Sequence, residues 1–166
     1  MDQDILKQAI YFIQSIGIKV YYKTLEETTF LPGLQIENGS IFIDSDKLKY
    51  PGDVLHEAGH IAVVPTIERS NLSADSIAMR ENNAAEEMMA IAWSYAACKH
   101  LDIDPYFVFH ESGYNGGGNK IADQFNEGKY FGVPMLQFAG MTAEHKMAEI
   151  LNMPSYPAMK QWLRDE

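Results

Sequence analysis

The sequence predicts an α+β fold, mostly helical, with one small antiparallel sheet. Three observations predict it. Apolar residues recur at helical spacing in the first fifteen positions and again in two long segments after residue 50. Short β-branched and aromatic runs are confined to residues 18–43. Two of those runs are separated by a segment containing Asn38-Gly39, a strong hairpin signal.

The elements follow in order. Ile5, Ala9, Ile10, Phe12, Ile13 and Ile16 form a broad apolar stripe, so residues 3–15 read as a helix that stops at Gly17. Ile18 to Tyr22 reads as a strand, as do Leu34–Ile36 and Ile41–Ile43. Pro51, Gly52 and Asp53 open a helix that runs to about Val64 and ends at Pro65. A second long helix spans about Asn83 to His100. Asp104-Pro105 is a cap followed by proline at the first helical position, which predicts a short helix. His110 to Asn119 is a Gly-rich loop, and further helices are expected over 120–127, 143–151 and 157–164. The segment Gly132 to Met141 is apolar, and core packing is its expected role.

The 166 residues suit one domain covering 1–166, long enough to bury a core without covalent staples. The net charge of −10 argues against general nucleic-acid binding, which needs clustered Lys and Arg. A single cysteine, Cys98, rules out an internal disulfide and lies in an Ala-rich run, where it reads as a small buried hydrophobe. The opening MDQDILKQ lacks the basic-then-apolar layout of a signal peptide. No apolar stretch reaches the ~20 residues of a membrane span. These features lead to the expectation of a cytoplasmic protein without membrane association. Oligomeric state is not legible.

The segment that carries chemistry is Val54-Leu55-His56-Glu57-Ala58-Gly59-His60-Ile61. Residues four apart share a helical face, with Cβ atoms about 5–6 Å apart. His56 and His60 are therefore expected to present imidazole nitrogens to one zinc ion, and Glu57 to reach a water beside it. Val54, Leu55, Ile61, Val63 and Val64 make the helix apolar nearly all round. Polar side chains inside such a frame need partners, and a metal ion is one.

A catalytic zinc commonly keeps three protein ligands and one open position. Glu86 and Glu87 are the leading candidates for the third, because they open an otherwise apolar helix. Periodicity does not choose between them. His100, His110 and His145 are the alternatives.

Taken together, Leu31-Pro32-Gly33, Asn38 to Asp44 and Leu55-His56-Glu57-Ala58-Gly59-His60 resemble the ImmA/IrrE-type zinc metallopeptidases, a gluzincin-like HExxH family. The resemblance covers roughly residues 30–100. It implies a minimal zincin-like fold, bound Zn2+, Glu57 as the base and hydrolysis of a polypeptide substrate. The family also carries a Glu-Ala-Asn-x-Phe-Ala-Ala helix whose Glu is the third ligand. On that pattern Glu87 takes the Glu position, Ile91 the Phe and Ala92 the first closing Ala. Met88 and Met89 stand where the family has Ala and Asn, and Trp93 where it has its second Ala. The last 66 residues have no counterpart in the pattern.

A second electrophile often assists at the oxyanion. Tyr114 and His110, both in the Gly-rich loop, are the candidates for this substrate-binding role. A flexible turn is the competing expectation for that loop. A competing function is a non-catalytic zinc-binding interaction protein on the same scaffold. Glu57 argues against it, because a structural metal does not require a carboxylate beside an open water position.

Overall fold

The computed structural model describes residues 2–26 and 28–166. Helix α1 (Asp2–Ser15) buries Ala9, Ile10, Phe12 and Ile13, the core of its expected apolar stripe. Three short strands follow: β1 (Val20–Tyr22), β2 (Leu34–Glu37) and β3 (Ser40–Ile43). Leu34, Ile36, Ile41 and Ile43 alternate onto the buried face, while Gln35, Glu37 and Phe42 turn outward. Asn38 and Gly39 both take positive φ (50° and 66°), as a type I′ hairpin turn requires. The β2–β3 register is therefore set locally, with Glu37 opposite Ser40 and Leu34 opposite Ile43.

The sheet is mixed, not antiparallel. Strand β3 is central, and β1 pairs with it in parallel, Val20 opposite Ile41 and Tyr22 opposite Ile43. The reason is tertiary. A two-residue hairpin fixes only β2 and β3; β1 is placed by Ile18 and Val20, which join the core beneath α1. Strand β1 is also shorter than the run Ile18–Tyr22 suggests.

Helix α2 (Asp53–Ala62) is buried nearly all round, with Val54, Leu55, Ala58, Ile61 and Ala62 at 0% exposure. Two short helices, α3 (Thr66–Arg69) and α4 (Ala74–Met79), lead to the long helix α5 (Asn83–Leu101). Besides Glu86, it buries every residue from Met89 to Cys98, so this stretch has no exposed face. Cys98 is fully buried, and burial pushes its thiol up to about 12. The Asp104 cap accepts from the Tyr106 N–H and opens one 3₁₀ turn, Pro105–Phe107. A second 3₁₀ turn, Tyr114–Gly116, lies inside the Gly-rich loop. Helices α6 (Gly118–Asn126), α7 (Val133–Phe138) and α8 (His145–Leu151) complete the helical part. The apolar segment 132–141 does supply core: Val133, Leu136 and Met141 are buried.

Residues 157–164 are not helical. The end of the chain instead forms an irregular strap bonded across α2 and α5. Arg164 N–H donates to Ala62 O (2.9 Å), and Trp93 Nε1–H donates to Trp162 O (2.9 Å). Trp162 stands edge-on to Phe12 and Trp93, with ring centroids 4.9 and 5.5 Å away. These distant aromatic contacts outcompete local helix propensity. Among the described residues, no helix is long and apolar enough to cross a membrane.

Candidate metal centre

Helices α2 and α5 build the site by packing against each other. Gly59 makes the approach possible: a Cβ there would stand 2.9 Å from Ala90 O and 3.3 Å from the Ala90 Cα. That contact lies beside His60 on one helix and one turn beyond Glu87 on the other, so it brings the three side chains together.

His56 and His60 are turned toward each other, with their Nε2 atoms 3.1 Å apart. Both side chains are 11% exposed. Glu87 straddles the pair: Oε1 is 3.4 Å from His56 Nε2 and Oε2 is 3.0 Å from His60 Nε2. Glu57 adds a half-buried carboxylate, with ligand atoms of His56, Glu57 and His60 all within 4.8 Å of one another. Glu86 is not at the site. It is buried and held by Arg80, whose Nε and Nη2 reach its two carboxylate oxygens at 2.6 and 2.9 Å.

The charges respond to this crowding. Burial pushes the Glu57 carboxyl up, and the two histidines pull it back only in part. Burial also opposes charge on Glu87, but its contacts with His56 and His60 outweigh that and hold it well below the usual carboxylate range. For His60, burial disfavours the cation. The Glu87 contact and the nearby Glu57 and Glu87 charges prevail, so its pKa is raised.

The Gly-rich loop folds over the same region. Tyr114 sets its ring edge-on to His56, centroids 5.2 Å apart. Burial raises the phenol far above its ordinary pKa, and Glu87, Asp53 and Glu57 reinforce the shift. Tyr114 therefore remains a neutral O–H donor. His110 stacks on Tyr50 (4.2 Å) and places Nε2 2.9 Å from Asp53 Oδ1. Burial raises the Asp53 carboxyl, and the His110 contact pulls it back. Among the described residues, the buried side-chain polar atoms without a hydrogen-bond partner are His56 Nδ1, His110 Nδ1 and the Tyr114 hydroxyl.

The other histidines lie elsewhere. His100 packs its ring on Phe12 and Trp162, and exposed His145 faces Glu149 at 3.3 Å. Sequence reasoning missed Asp53. The available signal was its place three residues before His56 and four before Glu57 on an apolar helix. No protein-family model, curated protein or solved structure matches this chain.

Proposed function

We propose that this chain is a zinc-dependent metallopeptidase of the ImmA/IrrE type, in which His56, His60 and Glu87 hold the metal and Glu57 is the general base. The observation that carries the reading is the meeting of three donor groups from α2 and α5 at 3.0–3.4 Å. Donors around a tetrahedral zinc, each bonded at roughly 2.0–2.2 Å, stand about 3.3–3.6 Å apart. The spacing here is that arrangement slightly contracted. Two imidazole nitrogens 3.1 Å apart also repel unless a proton or cation lies between them. Two imidazoles and one carboxylate suit zinc among the divalent ions.

When bound, zinc supplies Lewis acidity toward an amide carbonyl and lowers the pKa of water at the site. Glu57 takes the proton of the attacking water and delivers it to the leaving amine nitrogen. Burial raises its pKa, which suits a group that must both accept and return a proton. The Tyr114 hydroxyl donates a hydrogen bond to the substrate oxygen on which negative charge develops, and His110 steadies the loop that carries it. Asp53 orients the His110 ring through its 2.9 Å contact. The substrate is a polypeptide, as the family resemblance suggests.

Metal analysis and one substitution test this. The protein purified without chelator should hold one zinc per chain, and a metal-free protein that also fails to take up added zinc rejects the site. Glu57→Gln should keep the metal and lower peptide hydrolysis by at least about 10²-fold. Unchanged turnover removes Glu57 from its role. Stoichiometric zinc with no hydrolysis of any peptide by the wild type is the outcome that matches a non-catalytic zinc-binding protein.

A further inference from the structure

Helix α5 begins without a side-chain cap: Asn82 makes no capping hydrogen bond. Uncapped first turns fray. Yet this first turn ends at Glu86 and directly precedes Glu87, the only group from α5 that meets the two imidazoles. Something else must fix it. Arg80 lies just before the helix, and its guanidinium grips Glu86 through two nitrogens at 2.6 and 2.9 Å. A third nitrogen reaches Glu68 at 2.7 Å and ties the same fork to α3. The pair is largely sheltered, with side chains 19% and 7% exposed. A bidentate, charge-assisted fork imposes direction as well as attraction. Neighbouring residues on a helix point about 100° apart. Holding Glu86 toward Arg80 therefore sets the rotation of α5 at which Glu87 faces α2. The residue on the other side of Glu87 is also confined: Gly132 lies so close that a Cβ there would be 2.2 Å from Met88 O.

We propose that Arg80 is a positioning residue of the metal centre: its fork on Glu86 holds the uncapped first turn of α5 so that Glu87 reaches His56 and His60. This rests on the reading that those three residues hold a metal. The role is indirect, so Arg80 touches neither metal nor substrate.

A rival explanation is electrostatic, and it differs in sign. Through charge alone, loss of Arg80 would tighten cation binding, and loss of the Glu86 charge would weaken it. Loss of positioning weakens binding in both cases. The test is zinc affinity of the full chain, measured by competition with a chromophoric chelator. It uses Arg80→Met, Glu86→Gln and Arg80→Lys, each in the native background and in Glu87→Ala. Arg80→Met and Glu86→Gln should each weaken zinc binding by about 10–100-fold, the range of outer-shell changes. Arg80→Lys, which keeps the charge and loses the fork, should also weaken it. In the Glu87→Ala background all three should change affinity by less than about twofold, because the residue they position is gone.

Three results overturn the proposal: native affinity in Glu86→Gln and Arg80→Met, shifts of opposite direction in those two, or equal losses with and without Glu87. The last would mark a general effect on the fold. If the unsubstituted protein takes up no zinc, the reading of the metal centre itself has failed, and this proposal falls with it.

Discussion

Glu86 and Glu87 are adjacent in the chain and have opposite surroundings. Glu86 is 5% exposed and locked to an arginine; Glu87 is half-exposed and lies across two imidazoles. The sequence marks both, because two carboxylates open an apolar helix. Periodicity does not separate them, since Arg80 sits outside any helical repeat that would pair it with Glu86; the family resemblance alone favours Glu87. The ionisation of Glu87 and His60 leads to a pH prediction. The raised His60 pKa means that the metal-free pair contributes stability fully below about pH 6.5, lost as pH rises through the folded value. Zinc must displace that proton. Affinity should climb roughly tenfold per pH unit below the His60 pKa and then level off. Chelator competition at pH 6, 7 and 8 checks this, and a flat profile rejects a proton on His60. Tyr114 carries a second prediction. Its buried hydroxyl has no partner within the protein, so Tyr114→Phe should barely affect zinc affinity and should cut kcat about 10²-fold. An effect on KM alone would make Tyr114 a simple binding residue.

At the scale of elements, the α2–α5 contact matters most, and its cause was half-visible. The HEAGH pattern places two histidines one turn apart, and nothing in the pattern marks its glycine as a helix contact. In three dimensions Gly59 is the point where one helix backbone meets the other. Gly59→Val should force the helices apart, costing about 1–3 kcal/mol in urea unfolding. It should also weaken zinc binding, because Glu87 is then carried away from the imidazoles. Unaltered stability would show that the contact tolerates a side chain. The short helices α3 and α4 were not foreseen. Neither buries a residue, so neither has an apolar stripe to read. The one local mark was the Ser73–Ser76 box that caps α4, a weaker signal than the usual Ser-x-x-Glu.

Across the whole molecule, the C-terminal strap closes the structure around the two site helices. Arg69 donates to Ile61 O and Val64 O at the end of α2 and to Arg164 O of the strap. Tyr156 hydroxyl donates to Ala92 O of α5 (2.8 Å). Trp162→Ala removes a half-buried ring from Phe12 and Trp93 and should cost about 2 kcal/mol. For a chain of this size that is roughly 4–8 °C in Tm. A thermal melt of the metal-free protein reads it, and a shift under about 1 °C would mean the strap adds nothing to stability. Local pattern determined the helices α1, α2 and α5, the Asn38-Gly39 hairpin and the facing of His56, Glu57 and His60, because 3.6-residue and two-residue periods are properties of contiguous chain. Tertiary structure alone decided the parallel partner of β1, the unwound strap, the fork on Glu86 and the arrival of Glu87, because each joins residues whose meeting depends on how separate elements pack.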